Sequence, residues 1–209
     1  MYKKKFFFIV FEGIEGTGKS FQIERLRKNL KKNKLNSIKT REPGGSKTAE
    51  KIRKLIFAKN SNKLHKLTDF YLMLASRNEH IQNTILKAKK NNDIIISDRF
   101  TDSTYAYQVV GNNIDKRINY INKKYITNNL KPNLTIILKS NLKVIFERLK
   151  KRKVINKFDK LTSKFYIKVQ NSFLKIAKNK KDYIIIDSSK NNDDVENKII
   201  SIVLKKINK

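Results

Sequence analysis

Cysteine and tryptophan are missing from this chain of 209 residues, which also has only two prolines, two histidines and six glycines. Without thiols there is no disulfide, no thiolate nucleophile and no Cys-ligated zinc. His65 and His80 alone are too few for a His-based metal site. Long apolar runs are lacking too: the longest, Phe6 to Phe11, is far too short to cross a bilayer. Met1-Tyr2-Lys3-Lys4-Lys5 has the basic character of a signal-peptide start. The apolar stretch after it, however, enters a glycine loop instead of a small-residue cleavage site. A cytoplasmic protein with no membrane association is expected. Acidic residues are also scarce, 18 against 49 basic ones, for a net charge of +31. Only nine of the basic residues are Arg, and the lysines are spread along the whole chain beside abundant Asn and Ile. That pattern reads as codon bias in an AT-rich genome, so no specific nucleic-acid partner is expected. The charge should still concentrate small polyanions near the surface, most strongly at low salt.

What the chain does contain is an alternation. Five short apolar runs read as buried strands: Phe6–Phe11, Ser37–Thr40, Asp93–Ser97, Leu134–Leu138 and Tyr183–Ile186. Helical stripes separate them. They run through Ala49, Ile52, Leu55 and Ile56; through Leu67, Phe70, Leu74, Ile81 and Ile85; through Val144, Leu149 and Arg152; and through Val195, Ile199, Ile202 and Ile207. Alternating strands and helices predict an α/β fold: five mostly parallel strands with helices on both faces, in one domain over residues 1–209. In such sheets ligands bind beyond the carboxyl ends of the strands. The informative residues are therefore those that follow each strand.

After the first strand comes Gly13-Ile14-Glu15-Gly16-Thr17-Gly18-Lys19-Ser20, a complete G-x-x-x-x-G-K-S phosphate loop followed by a helix-compatible stretch. Gly13, Gly16 and Gly18 let the backbone curl so that N–H groups face phosphate oxygens, and the next helix adds its positive end. Lys19 supplies a point charge for the β- and γ-phosphates, and the Ser20 hydroxyl suits Mg²⁺. The whole loop is expected to bind a nucleotide in a P-loop NTPase-like fold, and by itself it does not say which reaction follows. After the third strand, Arg99 can hold an acceptor phosphate by a bidentate fork that Lys cannot reproduce. Asp98 beside it can anchor a Mg²⁺-bound water or a phosphate-binding Arg.

An ordered set of short motifs runs through the chain. The phosphate loop comes first, then Arg41-Glu42-Pro43-Gly44-Gly45, then Ala75-Ser76-Arg77, Asp98-Arg99-Phe100 and Ser103-Thr104-Tyr105-Ala106-Tyr107-Gln108. In this order the set resembles bacterial thymidylate kinases, P-loop nucleoside monophosphate kinases, from Phe8 to the final helix. The resemblance implies transfer of the γ-phosphoryl group of ATP to dTMP with Mg²⁺ held near Ser20 and Asp98. It implies an acceptor pocket in which Glu15 faces the sugar and Glu42 and Pro43 shape the wall. Arg77 would meet a thymine carbonyl with Thr104 and Gln108, while Ser103 and Tyr107 line the sugar and Tyr107 disfavours a ribose 2′-OH. A lid at about 148–160 would bring Arg148 to ATP and Arg152 and Lys157 to the transferred group, and Asp187-Ser188-Ser189 would wrap the adenine. A homodimer through the Leu67–Leu86 helix is also implied. Two positions depart from the family. Met73 stands where an aromatic residue stacks on thymine, and Lys157 stands where the lid carries an arginine. Met73 leaves open a related kinase for dUMP or a deoxynucleoside. The charge leaves open a nucleic-acid-associated P-loop ATPase.

Overall fold

The computed structural model describes residues 5–58, 64–152, 158, 161–189 and 192–208. Five strands, β1 (Phe7–Glu12), β2 (Ser37–Arg41), β3 (Ile94–Asp98), β4 (Leu134–Lys139) and β5 (Tyr183–Asp187), form one sheet in the order β2-β3-β1-β4-β5. Every neighbouring pair is parallel, as the alternating pattern predicts. β1 is central and wholly buried, so both of its faces are apolar: Phe7, Ile9 and Phe11 point one way, Phe8 and Val10 the other. The first set packs under α1 (Lys19–Lys32) and α9 (Asn192–Ile207) through Ile23, Leu26, Leu30, Val195, Ile199 and Val203. The second meets Ile81, Ile85, Ile95 and Phe100. Burying a side chain of this size stabilises by roughly 1.5–3 kcal/mol, so this double-sided core holds the strands rigid below the site. Among the described residues no helix is long and apolar enough to cross a membrane.

All five strands run one residue further than the apolar runs predict, and that extra residue is charged each time: Glu12, Arg41, Asp98, Lys139 and Asp187. A charge ends an apolar run in the sequence but does not break a ladder at the sheet's open end, where water or a partner can reach it. The carboxyl ends of the strands therefore form a charged rim. The first long helical stripe is α2 (Lys47–Ile56), whose Ser46 cap accepts from the Ala49 N–H. The second begins as α3 (Lys66–His80), widens into a π turn at Ile81–Ile85 and continues as α4 (Leu86–Lys90). After β3, α5 (Thr101–Ser103) leads into another π-helical stretch, Thr104–Gly111. A short α6 (Ile118–Ile121) follows it. In the stripe expected through Val144, Leu149 is buried as expected, but Ile145 takes the buried place of Val144. α7 (Leu142–Lys150) buries Ile145 and Leu149, and it ends before Arg152. α8 (Ser163–Ala177) carries Tyr166, Val169 and Phe173 onto the sheet beside Ile137.

Candidate active site

The phosphate loop joins β1 to α1. At Gly13, φ is +136°, and a Cβ there would lie 2.3 Å from the Leu138 carbonyl oxygen, so only glycine lets the loop leave the sheet. Within the loop, Lys19 Nζ donates to the carbonyls of Gly13 and Ile14, each at 2.9 Å, and Thr17 Oγ1 donates to the Ile14 carbonyl at 2.8 Å. Burial, and then the charge of Arg99, lowers the Lys19 ammonium to about 8. Arg148 on α7 reaches over the loop: its Nη1 donates to the Gly16 carbonyl and its Nη2 to the Ser188 carbonyl after β5. Ser20 Oγ donates to Asp98 Oδ2 at 2.9 Å. The pair offers two hard oxygens side by side, which suits Mg²⁺, an ion that takes one or two protein oxygens and otherwise keeps waters and phosphates. Among the described residues no group of three or more His, Cys, Asp or Glu side chains is placed to hold a metal ion.

Across the same opening, β3 delivers Arg99 with φ of +77°, a left-handed conformation unusual for a non-glycine residue. All four hydrogens on its Nη atoms are engaged. Nη1 donates to the Gly13 carbonyl at 3.0 Å and Ser103 Oγ at 2.9 Å; Nη2 donates to Glu15 Oε1 at 2.6 Å and Tyr107 Oη at 3.2 Å. Tyr107 in turn donates to Glu15 Oε2 at 2.5 Å. Burial works against the Arg99 charge, but Tyr107, Glu15 and Asp98 outweigh it and raise its pKa. Behind this group Glu12 is completely buried. Its carboxyl is raised to about 8, by burial first and then by the carboxylate of Asp102.

A second buried network lies on the far side of the opening. Arg77 donates from Nε to Glu42 at 2.7 Å, from Nη1 to Asn122 Oδ1 and from Nη2 to the Phe100 carbonyl, both at 3.0 Å. One hydrogen on each terminal nitrogen remains. Glu42 also meets His80 Nδ1 at 2.9 Å, and His80 Nε2 meets Thr40 Oγ1 at 2.7 Å. Burial alone would raise the pKa of Glu42, but Arg77 and His80 outweigh it and hold the carboxylate below its usual range. The Glu42–Pro43 peptide is cis, and the turn is tied down by Arg53 Nη1 donating to the Pro43 carbonyl and by the Gly44 N–H donating to Ser76 Oγ.

These elements surround a cavity of about 530 Å³. Glu15, Gly16, Gly18, Lys19, Ser20, Asp98 and Arg99 line its floor, and Glu42, Pro43, Met73, Arg77, Ser103, Thr104, Tyr107 and Gln108 line one end. Arg148 and Arg152 line the cavity as well, and Phe158 meets Tyr107 edge to face, ring centroids 5.4 Å apart. The remaining loop residues lie beneath: Ile14 packs against Ile137 and Ile145, Thr17 is fully buried, and Gly13 offers its carbonyl to both Lys19 and Arg99. Lys157 lies outside the described residues. Sequence reasoning missed the lining side chains of Arg41, Arg53, Phe57 and Phe158, and the buried supports Glu12, His80 and Asn122. For Glu12 the available signal was a carboxylate ending an otherwise apolar run.

Comparison with known proteins tests what this geometry belongs to. The chain matches the model of a protein family described as thymidylate kinase over residues 11–199. It is 39% identical over 185 residues to the thymidylate kinase of Sulfurihydrogenibium sp. (strain YO3AOP1), covering 88% of this chain and 89% of the relative. To the thymidylate kinase of Mycoplasma capricolum it is 36% identical over 207 residues, 96% of this chain and 95% of the other. Among solved structures, the thymidylate kinase from Ehrlichia chaffeensis superimposes with a TM-score of 0.76 at 27% identity, over 95% of this chain and 99% of that one. A phosphate loop and a second set of buried charges face one cavity, and the family match runs across nearly the whole chain: this protein belongs to the thymidylate kinase family.

Proposed function

We propose that this protein transfers the γ-phosphoryl group of ATP to dTMP, giving dTDP and ADP, within the cavity between the phosphate loop and Arg77. The observation that carries this reading is the placement of two cationic centres, Lys19 and Arg99, in one cavity that Met73, Arg77, Thr104 and Gln108 also line. Phosphoryl transfer needs charge neutralisation on donor and acceptor phosphates and alignment between them, with little covalent chemistry from the protein. Lys19 and the loop N–H groups hold the donor phosphates, and Arg148 and Arg152 cover the donor side. Arg99 holds the acceptor phosphate, and Glu15, Ser103 and Tyr107 enclose the sugar. Arg77, braced by Glu42, turns its two remaining hydrogens to a thymine carbonyl beside Thr104 and Gln108, with Met73 over the base and Pro43 closing the wall. Mg²⁺ at Ser20 and Asp98 would neutralise charge on the donor phosphates.

The whole chain, residues 1–209, acts in this reading as one cytoplasmic kinase domain with a lid at about 148–160, where Lys157 joins Arg152 near the transferred group. A homodimer is part of it as well. α3 and α4 bury Phe70, Met73, Leu74 and Ala88 but leave Leu67, Tyr71 and Leu86 more than a third exposed, which is a second apolar row for a partner copy. An ADP-release assay over dTMP, dUMP, UMP and thymidine tests the activity. Turnover is expected with dTMP well above the others. Equal turnover of dUMP would favour the broader specificity that a thioether at residue 73 permits. No ADP release with any of them would overturn the reading.

A further inference from the structure

The end of β1 does more than launch the phosphate loop. Glu12 Oε1 accepts from the N–H groups of Phe100 at 2.9 Å and Ser103 at 3.2 Å, and Oε2 accepts from Ser103 Oγ at 2.6 Å. That same Ser103 oxygen accepts from Arg99 Nη1. One residue earlier, the Phe11 carbonyl accepts from the Arg99 N–H at 2.9 Å; one residue later, the Gly13 carbonyl accepts from Arg99 Nη1. The only other anchor on the Arg99 backbone among these bonds is Ser97 Oγ, which donates to the Arg99 carbonyl at 2.7 Å. A left-handed arginine persists only where its surroundings over-determine it, and here three consecutive residues of β1 and its exit supply most of that constraint.

We propose that Glu12 is a positioning residue for acceptor binding. Through the Ser103 hydroxyl and two backbone N–H groups it fixes the turn from Asp98 to Ser103, and with it the guanidinium of Arg99. Because the phosphate loop starts at Gly13, the acceptor cation and the donor loop take their register from the same strand end. Alignment of the two phosphates is then a property of β1 itself. The inference rests on the reading of Arg99 as holder of the acceptor phosphate.

The test uses reach. Glu12→Asp withdraws the carboxylate by one methylene, and it should raise KM for dTMP at least about fivefold while leaving KM for ATP within about twofold. Glu12→Gln keeps the reach as a neutral amide and should stay within about threefold of wild type for both. In a double-mutant cycle, Glu12→Asp should add less than about twofold on top of Arg99→Lys, because both act on one guanidinium. If Glu12→Asp does not fold, Ser103→Ala takes its place in the cycle; it removes the hydroxyl between Glu12 and Arg99 and leaves the N–H caps. A helix cap with no tie to Arg99 would move both KM values together or multiply with Arg99→Lys, and either result overturns the proposal. So does a Gln variant as impaired as Asp, which would assign the role to charge. Arg99→Lys alone tests the underlying reading: an equal effect on both substrates defeats that reading, whereas a dTMP-selective effect with an unselective Glu12→Asp defeats only this inference.

Discussion

The two halves of the cavity are built from different materials. On the side proposed for the donor, main chain does the holding: glycine φ angles shape the loop, α1 starts at the cavity with Lys19 and Ser20, and Lys19 is aimed by two carbonyls. On the side proposed for the acceptor, side chains do most of the holding of other side chains, with one main-chain carbonyl on each guanidinium, Gly13 for Arg99 and Phe100 for Arg77. Arg99 is set by Glu15, Ser103 and Tyr107, and Arg77 by Glu42 and Asn122, with His80 and Thr40 behind Glu42. A backbone-built site tolerates changes in most nearby side chains but depends on a few glycines. A relay of buried charges is sensitive at every link, because removing one member strands another in a medium that penalises unpaired charge.

The largest effect should come from cutting the acceptor relay at its hub. Glu42→Ala leaves the Arg77 guanidinium buried without its anion, and breaking a buried pair from one side typically costs about 3–5 kcal/mol. A denaturant titration should show that loss, together with a raised KM for dTMP. Stability within about 0.5 kcal/mol of wild type would mean that the relay does not support the fold. On the donor side, Lys19→Ala removes a charge without removing core packing. It should lower kcat by about a hundredfold or more, roughly 2.7 kcal/mol, with the melting temperature nearly unchanged. Retention of more than about a tenth of wild-type kcat would show the loop to be misread.

A pH titration sharpens the comparison further. Lys19 loses its proton as pH rises through about 8, whereas the pKa of Arg99 lies above the ordinary arginine value. Between pH 7 and 9.5 the KM for ATP should therefore rise roughly tenfold, the proton now being taken up on binding, with little change for dTMP. The sign for stability is opposite. The folded state holds fewer protons than the unfolded chain between about 8 and 10.5, so this lysine's contribution to stability grows with pH across that window. Parallel changes in both KM values would remove the contrast. The smallest effect is at Met73, which lines the cavity while Phe70 is fully buried elsewhere and Tyr71 is half exposed. Met73→Phe should tighten dTMP by about 0.5–1 kcal/mol through a better stacking face, and leave ATP affinity alone. Calorimetry with unchanged dTMP affinity and a lowered melting temperature would place the base elsewhere.

How much of this was legible in the sequence follows the same division. The strands and the phosphate loop are local patterns, and each lay where the apolar runs and glycines predict; the alternation with helices implied parallel pairing, but the order β2-β3-β1-β4-β5 was not read from the sequence. The strand ends were one residue short because a charge stops an apolar run without stopping a ladder. Ile145 replaced Val144 in its stripe, with Leu149 unchanged, because Leu142, Val144, Ile145 and Phe146 give α7 apolar residues on more than one face. Arg99, Arg77, Glu15 and Glu42 were found through motif order, yet nothing local shows how they are held. The Arg77–Glu42 contact spans 35 residues, Tyr107–Glu15 spans 92, and Ser103–Glu12 spans 91. His80 and Asn122 carry no motif of their own in this reading. Only the fold discloses them.

The saturation of Arg99 has a consequence for which molecules the pocket accepts. With all four Nη hydrogens engaged by protein oxygens, the Glu15 carboxylate stands as an internal rival for the guanidinium. If Arg99 holds the acceptor phosphate as proposed, an incoming acceptor enters by exchange and succeeds only if it is the better anion. A phosphate monoester, close to a dianion at neutral pH, outbids a single carboxylate; a neutral nucleoside or a monoanionic diester brings less to the contest. In that reading Glu15 sets a threshold on ligand charge.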